Sequence, residues 1–316
     1  MRIIFMGTPD FAQESLKSIY EAGFEVVAAV TNPDKPKGRG MQMIASPVKE
    51  YCNQVGIPVL QPLKIRNNQE FINEIKALKP DVIVVVAYGK ILPLEFLEIP
   101  PMGCINVHGS LLPQYRGAAP IQWSVLNGDK TTGITTMYMD EGMDTGDMIL
   151  QQEVEIGPDE TTGELWNRLE VLGGRLIVET LHQIENGSVQ RTKQPEGATY
   201  APMLTKEMSL IDWNKSAKDI HNLVRGLNPI MGAYTLYNDK KIKIWKTQIV
   251  SIDELQDIQI KDSWTNGEIA SVKPDLLVYT GKDLIQLIEV QPENSKRMSA
   301  KDFINGSQIQ VGDFFK

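Results

Sequence analysis

The chain has 316 residues, about twice the ~100–200 residues of a typical domain, so we expect two domains. Hydrophobic residues make up 42% and charged residues 23% of the sequence, and these ordinary fractions exclude a disordered, collagenous or coiled-coil chain. The net charge of −8 excludes a uniformly basic nucleic-acid-binding protein, although residues 206–316 are neutral, with 15 basic and 15 acidic side chains.

The first half of the chain alternates apolar runs with helical patterns, which is typical of a parallel sheet covered by helices. Ser46 is expected to cap the second helix, and Thr161 with Glu164 resembles a capping box. Prolines and glycines interrupt residues 32–45, so this segment is expected to be a loop. Strands are predicted at residues 2–7, 25–31, 58–60, 81–88, 104–108, 134–139 and 147–156, and helices at 9–20, 47–54, 67–78, 118–126 and 161–184.

The second half begins with a polar, turn-rich stretch at residues 186–202, which is a candidate linker. Short strands at regular spacing then indicate a small β-barrel preceded by one helix. The helix is predicted at residues 217–226 and the strands at 232–236, 241–250, 267–272, 276–280 and 283–290. We place the boundaries of an N-terminal domain at 1–189, of the linker, which overlaps this stretch, at 190–206, and of a C-terminal domain at 207–316.

Neither a membrane span nor a metal site is expected. No apolar run approaches the ~18 residues needed to cross a bilayer, and the short N-terminal run lacks a cleavage-site pattern, so we expect a cytoplasmic protein. Cys52 and Cys104 are the only cysteines, beside three histidines, which is too few for a Cys/His zinc pattern. Both thiols are expected to pack as small apolar groups.

The turn after the first predicted strand does not favour dinucleotide binding. A Rossmann enzyme needs three glycines there, whereas Gly7-Thr-Pro-Asp-Phe-Ala12 has one glycine and a proline where a backbone donor is wanted. Because α/β sheets still bind ligands beyond the carboxyl ends of their strands, we expect the loop after Val107 to contribute to a ligand site.

Reactive side chains are concentrated around this loop. Asn106 and His108 share one face of a predicted strand, and Asp144 lies in a glycine-rich turn between two later strands. Taken singly, a histidine at a strand end is usually structural, and an aspartate in such a turn usually serves turn geometry. Together they make a plausible acyl-transfer site without a Ser or Cys nucleophile, so the attacking group should belong to a substrate, most naturally an amine.

Four segments of the sequence form a recognisable set. They are Gly7–Ala12, Val85-Val-Ala-Tyr-Gly89, Asp144-Thr-Gly-Asp147, and Cys104-Ile-Asn-Val-His-Gly-Ser-Leu-Leu-Pro113 with its continuation to Ile121. Together they resemble the methionyl-tRNA formyltransferase family over the whole chain. The His-Gly-Ser-Leu-Leu-Pro signature alone is shared by several folate-dependent formyltransferases and hydrolases, so it indicates the reaction class and leaves the acceptor open.

The resemblance implies transfer of a formyl group from 10-formyltetrahydrofolate to the α-amine of methionine on initiator tRNA. It implies an α/β fold, in which a parallel-sheet, Rossmann-like formyltransferase domain is followed by a small OB-like β-barrel domain that holds the tRNA. The family's catalytic residues fall on Asn106, His108 and Asp144. Its folate-contacting loop falls on Ser110, Leu111, Leu112 and Pro113.

The same resemblance places a tRNA-binding loop at residues 32–45, with Arg39 as its functional arginine. Many relatives carry further basic residues after the Gly-Arg-Gly, whereas this chain has Met41-Gln-Met43 and carries Lys35 and Lys37 just before it. Lys240, Lys241, Lys243 and Lys246 form a second basic cluster, which is either a solvated strand edge or a phosphate-contacting patch.

From the residues we hypothesise that Asn106 and His108 donate hydrogen bonds to the oxyanion of a tetrahedral intermediate, while Asp144 orients the imidazole and accepts the proton of the amine. Three alternatives stay open: another amine acceptor such as an amino-sugar nucleotide or a glycinamide, a hydrolase that releases formate, and an RNA-binding module without catalysis. No extended apolar interface is indicated, so we expect a monomer.

Overall fold

The structure is a computed structural model that describes residues 1–37, 42–251 and 264–316. The chain divides into two compact units. Unit 1 comprises Met1–Pro120, Thr131–Val154 and Trp166–Pro202, and unit 2 comprises Ile121–Lys130, Glu155–Leu165 and Met203–Lys316. The division at 189 and 206 stays a prediction.

In the described part of unit 1, a seven-stranded sheet has the order β10-β9-β7-β6-β1-β2-β5. Strands β5, β2, β1, β6 and β7 pair in parallel, and β9 joins β7 in antiparallel orientation. The strands are β1 Arg2–Gly7, β2 Glu25–Val30, β3 Lys35–Lys37, β4 Gln42–Ile44, β5 Val59–Leu60, β6 Val82–Val86, β7 Cys104–His108, β8 Arg116–Gly117, β9 Thr131–Tyr138, β10 Met148–Glu155 and β11 Tyr200–Ala201. Within the described residues, the helices that lie wholly in unit 1 are α1 Asp10–Glu21, α2 Pro47–Val55, α3 Gln69–Ala77 and α4 Leu94–Leu97. Helix α5 Pro120–Leu126 falls almost entirely in unit 2, and α6 Thr162–Glu185 begins in unit 2 and continues in unit 1.

Local sequence signals explain several of these elements. All five residues of β6 are buried, as expected of a parallel strand covered on both faces. The Ser46 hydroxyl accepts a hydrogen bond from the Lys49 backbone N–H at 3.2 Å, which confirms the predicted cap of α2. Gly7 is required by close packing, because a Cβ there would lie 2.8 Å from the Val86 carbonyl oxygen.

The segment predicted as a loop at residues 32–45 contains a short hairpin instead. Strand β3 pairs with β4 in antiparallel orientation, with Pro36 opposite Met43. Because the sheet has only two strands, both are edge strands, where a proline costs no ladder hydrogen bond if its nitrogen faces outward. At the foot of the hairpin, Lys49 Nζ lies 2.7 Å from Asp34 Oδ2, and hydrogen bonds from Lys49 and Gln61 lower the pKa of Asp34.

Unit 2 contains a six-stranded antiparallel sheet within the described residues, with the order β12-β13-β16-β15-β14 and with β17 paired to β16. Register shifts near Lys246 interrupt the long β13–β16 ladder, and such bulges bend a strand and increase its twist. The elements are α7 Ala217–Gly226, β12 Ala233–Tyr237, β13 Lys240–Val250, β14 Ile269–Ser271, β15 Leu276–Tyr279, β16 Leu284–Pro292, β17 Met298–Ser299 and α8 Ala300–Ser307. The predicted fold class, a parallel-sheet Rossmann-like domain followed by an OB-like domain, is confirmed.

The lysine cluster of unit 2 does not protect a sheet edge, so that interpretation is wrong. Strand β13 lies between β12 and β16. Lys241 Nζ lies 3.6 Å from the centre of the Tyr234 ring, and Lys243 Nζ donates to the Met231 carbonyl oxygen at 2.8 Å. Two of the lysines are therefore engaged by neighbouring groups of the same unit.

Candidate active site

Strand β7 carries two of the predicted catalytic side chains to the carboxyl end of the parallel strands. Asn106 and His108 are two residues apart and therefore lie on one face of the sheet. Asn106 is half-buried, and its side chain makes no hydrogen bond with any described residue of the chain. Its amide is therefore available to an external oxygen.

His108 is buried and held by a backbone carbonyl. Its Nε2 lies 2.9 Å from the carbonyl oxygen of Tyr115. A carbonyl oxygen can only accept, so Nε2 carries the hydrogen and donates. Nδ1 is the remaining nitrogen, and it lies 3.7 Å from Asp144 Oδ2, which is too long for a direct hydrogen bond. Nδ1 is thus the nitrogen of the ring that can exchange a proton with the site.

Asp144 faces this nitrogen from the turn between β9 and β10. Its Oδ2 accepts a hydrogen bond from the Gly117 backbone N–H at 2.8 Å. Over the residues that the structure describes, no donor contacts Oδ1, and the side chain keeps 15% of its surface exposed. Asp144 has φ +54°, in the left-handed region that non-glycine residues seldom adopt. The structure thus brings Asn106, His108 and Asp144 into unit 1 with one amide, one imidazole nitrogen and one carboxylate oxygen uncommitted.

The loop predicted to contact folate is pinned by its neighbours. Thr135 Oγ1 donates to the Ser110 carbonyl at 2.7 Å and accepts from the Leu112 N–H at 3.1 Å, while Gln151 donates to the Leu112 carbonyl at 2.9 Å. Ser110, Leu112 and Pro113 are buried, and Leu111 is half-exposed. The loop can therefore present the Leu111 side chain and its own backbone to a ligand, whereas the other three side chains keep its shape.

The protein offers no obvious nucleophile of its own in this region. The Ser110 hydroxyl is fully buried and donates to the Gln114 carbonyl. Burial raises the pKa of the Cys104 thiol to about 12, so the thiolate form is disfavoured near neutral pH. This geometry supports the prediction that the attacking group belongs to a substrate.

Two family models match the chain: formyl transferase over residues 1–181 and formyl transferase, C-terminal domain, over residues 203–308. The methionyl-tRNA formyltransferase of Desulforamulus reducens is 52% identical over 314 residues, which cover 99% of this chain and 96% of that relative. The chain belongs to the methionyl-tRNA formyltransferase family. The enzyme of the same name from Ruminiclostridium cellulolyticum is 49% identical over 315 residues, with 99% of each chain covered. The predicted resemblance is confirmed.

Solved structures share the fold of this family member at low sequence identity. The N-formyltransferase of Helicobacter canadensis, in complex with folinic acid and dTDP-3-aminofucose, superposes with a TM-score of 0.68 at 19% identity, covering 90% of this chain and 98% of that one. WlaRD, a sugar 3N-formyltransferase solved with dTDP and 5-N-formyl-THF, gives a TM-score of 0.67 at 18% identity, covering 94% of this chain and 99% of that one. These similarities show the fold.

Two of the residues predicted to contact tRNA lie on strand β3. Lys35 begins β3 and is exposed, and Lys37 ends the same strand. Arg39 lies outside the described residues. Among the contacts of the described residues, none joins Lys35 to Asn106, His108 or Asp144.

Sequence analysis missed several polar residues that surround Asp144. Arg116 Nε and Nη2 donate to Gln194 Oε1 at 3.0 and 2.6 Å, and Gln194 Nε2 donates to the Asp144 carbonyl at 2.8 Å. Gln194 lies in the predicted linker, where nothing in the local pattern distinguishes it from its polar neighbours. The chemistry of Arg116 was visible in the Tyr-Arg-Gly segment, but its partner was not.

Residues 1–37, 42–251 and 264–316 contain neither a metal-binding cluster nor a membrane-spanning helix. No group of three or more His, Cys, Asp or Glu side chains in these ranges could hold a metal ion. None of the helices in the same ranges combines the length and the apolar composition that a bilayer crossing requires.

Proposed function

We propose that this protein transfers the formyl group of 10-formyltetrahydrofolate to the α-amino group of methionyl initiator tRNA, with Asn106, His108 and Asp144 as the catalytic residues. The observation that supports these roles is an unpaired Asn106 amide on the same strand as a histidine whose Nδ1 lies 3.7 Å from a carboxylate. The relatives named above are methionyl-tRNA formyltransferases, which supports the same acceptor.

Asp144 prepares the nucleophile in this proposal. The methionyl amine is protonated in part near neutral pH and must lose a proton before its lone pair can attack. Asp144 Oδ1, which accepts no hydrogen bond within the described chain, takes this proton directly or through a water molecule. The Gly117 N–H keeps the carboxylate oriented while the charge moves.

Asn106 and His108 stabilise the anion that forms next. The amine nitrogen bonds to the formyl carbon, and the electron pair of the carbonyl bond moves to the formyl oxygen. The Asn106 amide donates a hydrogen bond to this oxygen. Because the Tyr115 carbonyl holds Nε2, Nδ1 is the His108 nitrogen that faces the site, and with a hydrogen on Nδ1 it donates a second hydrogen bond to this oxygen.

The tetrahedral intermediate then collapses in the forward direction. The carbon–oxygen double bond forms again, the bond between the formyl carbon and N10 of the folate breaks, and N10 receives a proton from the His108–Asp144 pair. The attacking nitrogen gives up a second proton as it becomes the amide nitrogen, and this proton replaces the one donated to N10. The proton first taken from the ammonium form is released to water, so the step releases one proton and needs no oxidant or reductant.

The residues present fit a formyl-folate donor. Its chemistry is to supply an activated one-carbon acyl group, which needs a hydrogen-bond donor for the formyl oxygen and an apolar surface for the ring system. Asn106 provides the first, and the half-exposed Leu111 side chain provides part of the second. The loop from Ser110 to Pro113 is held rigidly enough by Thr135 and Gln151 to present that surface in one position.

The tRNA is held through its phosphates by local positive charge on a chain whose net charge is −8. This charge is supplied by Lys35, Lys37 and Arg39 of the segment at residues 32–45. In the same proposal the protein is a monomer and acts in the cytoplasm. Since binding of this kind releases counterions, raising the salt concentration from 50 to 200 mM should weaken tRNA binding roughly tenfold or more. An affinity that is indifferent to ionic strength would contradict the proposal.

A single acceptor assay separates the proposed function from its alternatives. The purified protein is given 10-formyltetrahydrofolate with charged initiator tRNA, with an amino-sugar nucleotide, with a glycinamide, or with water alone. We expect formyl transfer only to the charged tRNA. Transfer to another amine would replace the acceptor, and release of formate at the same rate without an amine would identify a hydrolase.

A further inference from the structure

We propose that Gln194 is a positioning residue that holds Asp144 in its catalytic orientation; this inference rests on the proposed function of Asp144. Gln194 Nε2 donates to the carbonyl oxygens of Asp144 and Gly146, at 2.8 and 2.9 Å. Its Oε1 accepts two hydrogen bonds from the Arg116 guanidinium. One half-buried amide thus connects the turn that carries Asp144 with the segment that follows the folate loop.

Asp144 needs such support because its backbone is in the left-handed region, with φ +54°. An aspartate in this conformation keeps its direction only where neighbouring groups hold the peptide. Gln194 holds the carbonyl of Asp144 itself and that of Gly146, two residues later. The direction of the carboxylate relative to His108 Nδ1 therefore depends on these two hydrogen bonds.

The oxygen of the Gln194 amide holds Arg116, and through it supports the hydrogen bond from Gly117 to the Asp144 carboxylate. Arg116 immediately precedes Gly117, whose N–H donates to Asp144 Oδ2 at 2.8 Å. Residues 116–117 also pair in parallel with Tyr200 and Ala201. Gly117 is required at this pairing, since a Cβ there would lie 2.8 Å from the Ala201 carbonyl oxygen. The main chain and the side chain of Asp144 are thus both fixed through the segment at 194–201.

The two ends of the amide have distinct roles, which makes the proposal testable by an isosteric change. A glutamine supplies the oxygen that Arg116 requires and the N–H groups that the two carbonyls require. Gln194→Glu keeps an acceptor for Arg116 but replaces the donors with an oxygen that faces carbonyl oxygens. The substitution removes the restraint on Asp144 while it preserves shape and the contact with Arg116.

The experiment measures steady-state formylation of charged initiator tRNA by full-length Gln194→Glu, Asp144→Asn and the double variant. We expect Gln194→Glu to lower kcat about 10- to 100-fold with KM for both substrates within about threefold, because small misplacements of a catalytic group have costs of this size. In the Asp144→Asn background, Gln194→Glu should change kcat less than threefold, because the group that it positions is already inactive.

Gln190→Glu is the matched control, since it makes the same change on the same segment at an exposed side chain that has no hydrogen bond within the described chain. It should stay within twofold of the wild type. Gln194→Met, which keeps the volume and removes every polar contact, is measured beside it, and thermal denaturation establishes that each variant is folded at the assay temperature.

Three results would overturn the inference. They are a wild-type kcat for folded Gln194→Glu, an equal further loss in the Asp144→Asn background, and unfolding of both Gln194 variants at the assay temperature, which would make the residue structural only. Failure of the proposed function would be visible without any Gln194 variant. It would appear as wild-type protein that does not formylate charged initiator tRNA, or as Asp144→Asn protein that keeps the wild-type rate.

Discussion

Two buried histidines of this protein each lie beside an aspartate, yet their surroundings differ. His108 in unit 1 has its Nδ1 3.7 Å from Asp144, and His221 in unit 2 has its Nε2 3.3 Å from Asp159. His221 also contacts Thr247 Oγ1 through Nδ1 at 2.9 Å and the Pro158 carbonyl through Nε2 at 3.2 Å. Both of its nitrogens are therefore used within unit 2, whereas one nitrogen of His108 is not.

The difference shows that burial and an acidic neighbour alone do not leave a histidine nitrogen available to a substrate. Burial, which is the largest cause, lowers the pKa of His221, and the Pro158 carbonyl and Asp159 only partly oppose it. Asp159 is 75% exposed, whereas Asp144 is 15% exposed and fixed by the Gly117 N–H. Three features distinguish the His108–Asp144 pair. The half-buried Asn106 amide on the same strand has no hydrogen-bond partner within the described chain, one ring nitrogen of His108 is uncommitted, and the Asp144 carboxylate is restrained.

The largest expected effect follows from replacing each of the two aspartates with asparagine. Asp144→Asn removes the proton acceptor and should lower kcat about 100- to 10,000-fold, the range of general-base catalysis. Asp159→Asn makes the same change beside His221 and should leave kcat within twofold. Steady-state formylation of charged tRNA is measured for both variants. Similar losses of kcat in the two variants would contradict the distinction between the two histidine–aspartate pairs.

The next effect concerns the Asn106 amide, which has no hydrogen-bond partner within the described chain. Asn106→Ala removes one donor to the oxyanion and should lower kcat about 100- to 1000-fold, with little change in KM, because the bond forms chiefly in the transition state. Asn53→Ala, at an exposed position of α2, is the control. A loss confined to KM would show that Asn106 binds the ground state instead.

A smaller effect is expected on stability at the second histidine. His221→Gln, which cannot titrate, should lower the free energy of unfolding by about 1–2 kcal/mol at pH 7.5, because buried hydrogen bonds are lost, while kcat at low temperature is retained. Urea denaturation of wild type and variant measures the difference.

Wild type and His221→Gln also test how the free energy of unfolding depends on pH. Because the folded-state pKa of His221 lies below its unfolded value of ~6.5, the unfolded chain binds more protons as the pH falls. The contribution of His221 is therefore present above the unfolded pKa and is lost as the pH falls through the folded pKa. The stability difference between wild type and His221→Gln should narrow between pH 7.5 and 5, and a constant difference would contradict the assigned direction of the shift.

Much of the fold was predictable because strong local patterns determine it. The five-residue strand at Cys104–His108 and the helix at Ala217–Gly226 have the predicted bounds, and the Thr161 capping box forms with Glu164. The pairing of Lys35–Lys37 with Gln42–Ile44 was not predicted, because it places a proline in an edge strand, where the sequence rules count proline as a break in regular structure. Asp34, which precedes β3, is held by Lys49 and Gln61, and such long-range contacts are not visible in a local sequence pattern.

The sequence predicted that Asn106 and His108 share a strand face, but it did not predict the contacts around them. Alternation along β7 placed Asn106 and His108 on one face, but the Tyr115 carbonyl that holds Nε2 could not be inferred, because it depends on the path of the loop after His108. Gln194 was missed for a similar reason: it lies 50 residues from Asp144 in a segment with no periodic pattern.

The most direct test of the account is the rate of formyl transfer in a single turnover, with enzyme in excess over charged initiator tRNA and saturating 10-formyltetrahydrofolate, for His108→Ala and His221→Gln. The account predicts a loss of at least about 100-fold for His108→Ala and a rate within about twofold of wild type for His221→Gln. A folded His108→Ala protein with a near wild-type rate would contradict the assignment of His108 to catalysis.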